Sequence, residues 1–305
     1  MQLLVSPASI DEAQDSLAAD IIDVKRPAEG SLGANFPWII KEIKSLTTKP
    51  VSAAIGDFDY KPGGASLCAL GAACAGADYI KIGLMFDGVE HARDVIFAVT
   101  KAVKDFYPEK IVVASAYSDY KRLGTISPFQ ISSIVAEAGA DVAMLDTGKK
   151  DGKSTFEFMS EEELTSFTNQ NRALGLKTAL AGSLTFEDIP ILRRINPDII
   201  GVRGMVCGGD RSSVIQPSLV LRALALVHGK SHELIPESPG PKHAPKRTKE
   251  LEILVIQMRF ETDYNMYEIT SKLNNLGFKV GSRLVGQILI DYGLTKKKPL
   301  HSKKL

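Results

Sequence analysis

The sequence predicts an α/β protein: a (β/α)8, or TIM, barrel over residues 1–229 with a short C-terminal helical extension. Three observations predict it. Eight short β-branched or apolar runs recur through residue 204, segments of helical spacing separate them, and alternate runs share a common pattern. A doubly wound open sheet also alternates strands with helices, but it has no reason to stop at eight units.

In order, "LLVSP" (3–7) is the first strand, and the residues after it turn into a helix. "IIDVK" (21–25) follows, then a glycine-containing loop and the helical "FPWIIKEIKSL". "PVSAAIGD" (50–57) and "YIKIGL" (79–84) are strands three and four, the latter followed by the helical "GVEHARDVIFAVTKAVKDF". "IVVASAY" (111–117), the helical "PFQISSIVAEAG", "VAMLDT" (142–147), "KTALAGS" (177–183) and "IIGVRG" (199–204) complete the strand set. A last helix, "VIQPSLVLRALALVHG", closes the barrel.

The shared pattern is an aspartate followed by two strand residues: "AADIIDVK" at Asp20, "GADYIKIG" at Asp78, "GADVAMLD" at Asp141 and "NPDIIGVR" at Asp198. The spacings of 58, 63 and 57 residues put it on every second strand. Ala-Asp is by itself a common way to leave a helix; four copies in register favour a repeating architecture. Side chains alternate along a strand, so the third and fifth residues after each aspartate share a face. Those are Asp23 and Lys25, Lys81 and Gly83, Met144 and Asp146, Gly201 and Arg203. The residues between them are apolar and suit the outer helices. Charged groups thus take the interior parity of all four even strands, near the mouth where such barrels carry their sites. An interior ion-pair network is the other job such charges can do.

Composition narrows the chemistry. A formal net charge of +1 argues against a dominant attraction to nucleic acid or membrane. The charge is uneven: residues 230–305 hold 14 Lys and Arg against 8 Asp and Glu, residues 1–229 hold 23 against 28. Three cysteines without a C-x-x-C suit a reducing cytoplasm, the expected compartment. No run is apolar enough to span a bilayer, and the start has no signal-peptide character. None of the five histidines ends a strand, which argues against a His-based metal centre or triad. No dinucleotide or nucleotide loop is present, so neither metal nor cofactor is expected.

What remains at the mouth is lysine, aspartate, arginine and glycine. Two inward lysines, Lys25 and Lys81, would disfavour each other's ammonium form, and a neutral amine can attack an aldehyde or ketone to give an iminium. Asp23 and Asp146 could orient the amine or move protons. A solvated strand end for Lys25 and a salt bridge for Lys81 are the alternatives. The loops after strands seven and eight, with Gly182, Ser183, Gly201 and Gly204, suit a phosphate, and Arg203 or Arg211 could add charge. The loop after Asp146 offers Lys149, Lys150 and Lys153, either closing over substrate or solvated. The residues alone point to an amine-dependent carbon–carbon lyase or synthase acting on a small phosphorylated aldehyde or ketone.

The strings "SP…DIIDVKRPAEGSLGANFPWIIKEIK", "ALGAA…GADYIKIGL", "DVAMLDTGKKDGK", "LAGSL" and "DIIGVRG" resemble one known family over residues 1–229. It is (5-formylfuran-3-yl)methyl phosphate synthase, also called 4-(hydroxymethyl)-2-furancarboxaldehyde-phosphate synthase, of methanofuran biosynthesis. The resemblance implies a carbon–oxygen lyase that condenses two glyceraldehyde 3-phosphate molecules into a furan, with loss of phosphate and water. It also implies Lys25 as the Schiff-base nucleophile, Lys81 as proton acceptor, and Asp146 and Lys150 as further site residues. A related Schiff-base aldolase on another triose or sugar phosphate is the alternative enzyme. A barrel scaffold whose C-terminal helices bind a protein is the alternative of another class.

Residues 230–249 read as a Pro-rich charged linker and 250–305 as two or more amphipathic helices with a basic tail, a docking hairpin rather than a catalytic part. "LNNLGFKVGSRL" is weakly similar to the helical start of Bet3-like transport-protein-particle subunits, and no function follows from that. Homo-oligomerisation, and a protein partner for residues 250–305, are left open by the sequence.

Overall fold

The computed structural model closes eight parallel strands into a barrel: β1 (Gln2–Val5), β2 (Ile21–Val24), β3 (Val51–Phe58), β4 (Tyr79–Leu84), β5 (Ile111–Tyr117), β6 (Val142–Asp146), β7 (Lys177–Leu180) and β8 (Ile199–Val202). Each pairs with the next, and β8 returns to β1 with Leu4 opposite Gly201. The structure describes residues 1–229, 247–262, 264–275, 278, 280–292 and 294. The predicted (β/α)8 barrel is the observed fold.

Helices α1 (Ile10–Asp15), α2 (Pro37–Ser45), α3 (Pro62–Cys74), α4 (Val89–Lys104), α5 (Tyr120–Leu123), α6 (Pro128–Glu137), α7 (Glu161–Ala173), α8 (Ile189–Ile195) and α9 (Pro217–Val227) follow the strands. Proline opens α2, α3, α6 and α9, where its missing N–H forfeits no intrahelical bond. A capping box of Ser160 and Glu163 opens α7. The outer faces of the strands, among them Ile22, Val24, Ile80, Ile82, Leu145 and Ile200, pack with the helices in the main core.

The repeated aspartates have one job at the opposite end from the mouth. Asp20 accepts from the Leu3 N–H, Asp78 from Val51, Asp141 from Val112 and Asp198 from Thr178, at 2.7–2.8 Å. In return each aspartate's own N–H donates to the carbonyl of that same residue. Each carboxylate thus satisfies a donor at the start of an odd strand that would otherwise have to find a partner elsewhere.

Inside the barrel the alternation holds. Ile21, Tyr79, Val142 and Ile199 fill the lower interior together with Leu4 and Val113. Asp23, Lys81 and Met144 come next, then Lys25 and Asp146 at the mouth. Lys25, Ser183 and Arg203 lie just beyond the ends of their strands, not within them as the runs suggested.

The chain divides into two compact units, Met1–Ile235 and Pro236–Leu305. Most of the expected linker, residues 230–246, lies outside the described residues, as does the basic tail beyond 294. In the second unit, α10 (Lys249–Glu261), α11 (Met266–Asn275) and α12 (Ser282–Asp291) surround a core of Leu251, Val255, Ile269, Leu273, Val285 and Ile288. It is a small three-helix body with its own interior, where the sequence suggested a docking hairpin. No helix among the described residues is long and apolar enough to cross a membrane.

Candidate active site

Interior parity brings Asp23, Lys25 and Lys81 together. The Lys81 ammonium donates to both Asp23 oxygens at 2.8 Å, in a pair closed off from solvent. Asp23 also accepts from Ser6 Oγ at 2.8 Å and from Ser52. Burial pushes its carboxyl up, but the charges of Lys81 and Lys25 outweigh that and hold it below the usual carboxylate range. Lys81 is therefore in the salt bridge that the sequence left as its alternative.

Lys25 is different. It is only 7% exposed, yet no carboxylate among the described residues lies within ion-pair distance of its amine. Burial lowers its pKa to about 8, against the upward pull of Asp146 and Asp23, with Lys150 and Lys81 adding to the depression. One lysine in the mouth is thus close to losing its proton at neutral pH.

Asp146 faces it from the end of β6. Its carboxylate is held by Lys150 and by the Thr147 N–H at 2.7 Å. Burial raises the Asp146 carboxyl, and Lys150 and Lys25 more than reverse that. The loop that carries Lys150 is tied down: Asp119 accepts from the Gly148 and Lys149 N–H groups, and Arg122 reaches Asp151. Lys150 turns inward to line the cavity, whereas Lys149 and Lys153 are exposed.

The lysines and aspartates open into a cavity of about 480 Å³ that reaches the loops after β7 and β8, a size suited to small-molecule ligands. Gly182 (φ 102°) and Ser183 (φ 51°) both take left-handed backbone there. A Cβ at Gly182 would overlap Thr155 Oγ1, so the close approach of these loops requires glycine. The N–H groups of Ser183 and Gly204 have no acceptor among the described residues and border the cavity, as a phosphate site requires. Gly201 lines its floor beside Ala181.

Arg203 is where the structure departs from the reading of the sequence. Its guanidinium holds Glu12 at 2.7 and 3.2 Å and donates to the carbonyls of Ser6, Arg211 and Ser213. A fork with every arm taken binds the loops to one another rather than a phosphate. Glu12, in α1, lies outside any strand, so alternation along strands could not reveal it.

The odd strands and the loops after β1 and β2 supply residues that the even-strand repeat passes over. Ser6 and Ser52 support Asp23, and Ser31, from the loop after β2, donates to the Thr147 carbonyl at 2.9 Å and to Asp146 at 3.5 Å. Tyr117 at the end of β5 donates a short hydrogen bond to Asp57 in β3, and Asp57 also accepts from the Leu32 N–H at 3.0 Å. Burial and the Asp57 charge push the Tyr117 phenol well above its ordinary value, so it keeps the proton that it donates to Asp57. No group of three or more His, Cys, Asp or Glu residues able to hold a metal occurs among the described residues.

Residues 3–224 match the family model described as 4-HFC-P synthase. Two curated relatives, both (5-formylfuran-3-yl)methyl phosphate synthases, extend the match. One from Methanosarcina mazei is 60% identical over 230 residues, covering 74% of this chain and 98% of the relative. One from Archaeoglobus fulgidus is 52% identical over 235 residues, covering 75% of this chain and all of the relative (100%). Among solved structures, 3-hexulose-6-phosphate synthase superposes with a TM-score of 0.55 at 18% identity, over 74% of this chain and 100% of that one. At that identity it bears on the fold alone.

Proposed function

The chain belongs to the 4-HFC-P synthase family, and from that premise we propose that it condenses two glyceraldehyde 3-phosphate molecules to (5-formylfuran-3-yl)methyl phosphate through an imine at Lys25. The observation that carries the proposal is the contrast among the lysines. Lys81 and Lys150 are paired to carboxylates, and Lys25 faces the cavity unpaired with its pKa near 8. Only a neutral amine can add to a carbonyl, and burial shifts Lys25 toward that form.

In this reading Lys25 adds to the first aldehyde, water leaves, and the iminium acidifies the neighbouring carbon. Lys81, held by Asp23 at the bottom of the cavity, is the proton acceptor: its ammonium first hands a proton to the Asp23 carboxylate already in contact, and the freed amine takes the proton from the carbon. The enamine attacks the second aldehyde to make the carbon–carbon bond. Asp146 and Lys150 exchange protons with the departing oxygens. Balance requires that two triose phosphates give one furan phosphate, one orthophosphate and two waters, and aromatisation drives the later steps. The free N–H groups of Ser183 and Gly204 receive a substrate phosphate.

The test is borohydride trapping with glyceraldehyde 3-phosphate, peptide mapping of the adduct, and an absorbance scan for a furan aldehyde. An adduct on Lys25 together with furan is expected. Absence of the adduct sinks the imine; an adduct without furan points to an aldolase on another sugar phosphate.

A further inference from the structure

The cavity is cationic at two places that the imine chemistry does not use. Arg211, beyond β8, and Arg222, on α9, both line it. Neither guanidinium has a carboxylate within ion-pair distance among the described residues, in contrast to Arg203 with its Glu12. A planar fork in a cavity wall with no carboxylate paired to it suits a phosphate.

Their surroundings differ. Arg211 lines the same cavity as Asp146, and its carbonyl accepts from Arg203 Nε at 2.8 Å, which ties its backbone to the loops at the mouth. Arg222 stacks its guanidinium on the Phe186 ring at 4.2 Å, and its Nε is buried with no hydrogen-bond partner. The acid that feels it, Glu187, is exposed and already accepts from Thr185.

We propose that the cavity holds two phosphates at once, in an outer subsite on Arg222 for the phosphate that is retained and an inner subsite on Arg211 for the one that is expelled. This rests on the reading of the substrate as a pair of triose phosphates. In the expulsion, a proton leaves the carbon beside the iminium for a basic side chain, and its electron pair forms the new C=C. The C–O ester bond then breaks with its pair leaving on orthophosphate, and the iminium is regenerated. Negative charge grows at the leaving oxygens next to Asp146, where an additional cation is needed. The retained phosphate has only to be held still, which a guanidinium pinned on an aromatic face does.

Binding of inorganic phosphate to the full chain, by calorimetry, tests the stoichiometry. Two phosphates per chain are expected for wild type, one each for Arg211→Met and Arg222→Met, and two for the corresponding Arg→Lys variants. If a methionine variant misfolds, Arg→Gln carries the same test. Kinetically, Arg222→Met should raise KM roughly tenfold or more with little change in kcat. Arg211→Met should lower kcat roughly tenfold or more while the borohydride adduct at Lys25 still forms. One phosphate in wild type, two in either methionine variant, or the same KM and kcat split for both would overturn the proposal. A wild-type chain that binds two phosphates but makes no furan would overturn the triose phosphate reading and leave the two subsites standing.

Discussion

Both carboxylate oxygens of Asp23 accept from the Lys81 ammonium at 2.8 Å, and that pair leaves Lys25, two residues further along the same interior line, without a partner of its own among the described residues. The two lysines thereby divide. One is a buried charge held by its counter-charge; the other is a buried amine held near its titration point.

Lys25→Arg keeps the charge and cannot form the imine. Furan formation should fall by about three orders of magnitude or more, and borohydride should leave no adduct on the barrel. Turnover within about tenfold of wild type would rule out covalent catalysis at this position.

The acid limb of imine trapping should report Lys25. The neutral form grows as pH rises through about 8, so trapping of a simple aldehyde should rise through that value and level off above it. Asp146 raises the Lys25 pKa; hence Asp146→Asn should move the limb to lower pH. A limb that stays in place, or moves up, contradicts the electrostatic coupling.

The same depression makes a stability statement. Folding disfavours the Lys25 ammonium, so its cost is present in full below pH 8 and is relieved as pH rises from about 8 toward the ordinary value of 10.5. Lys25→Met should therefore melt above wild type at pH 7, by about 1–3 kcal/mol. The gap should close as pH rises through that window. Differential melting of the two chains across pH checks both the sign and the window.

Asp23→Asn strands the Lys81 charge in the barrel floor. A loss of about 3–5 kcal/mol is expected from urea titration, and Asp23→Asn with Lys81→Met together should recover part of it. Additive losses would mean that the pair is not coupled.

Gly83→Ala probes the filled side of the mouth. A Cβ there would overlap Tyr117 Oη and crowd Asp57 and Leu32. The hydrogen bond between Tyr117 and Asp57 must yield, at about 1–3 kcal/mol, read out as a lower melting point.

Much of the barrel and of its lysine–aspartate centre was legible because both follow from alternation. Asp20, Asp78, Asp141 and Asp198 mark the even strands, and counting three and five residues on lands on Asp23, Lys25, Lys81 and Asp146. Asp57 could not be reached by that count. A bulge between Ala54 and Gly56, with Gly56 at φ 135°, shifts the register so that Asp57 comes opposite Gly83. Arg203 followed the parity rule, but its use was decided by Glu12 in α1, a long-range partner that no spacing encodes. Arg222 comes from the closing helix, where only the three-dimensional path of α9 brings it to the cavity.

The four carboxylate clasps at the barrel base each join a strand to its immediate successor: β1 to β2, β3 to β4, β5 to β6 and β7 to β8. None of these carboxylate-to-backbone clasps bridges β2 to β3, β4 to β5 or β6 to β7. The barrel is thus a ring of four clasped quarters, with its first and last strands already side by side. Circular permutation should obey that grain. New termini between α4 and β5, or between α7 and β7, leave every clasp within one continuous quarter, whereas a break between α1 and β2 severs the chain that Asp20 and Leu3 secure.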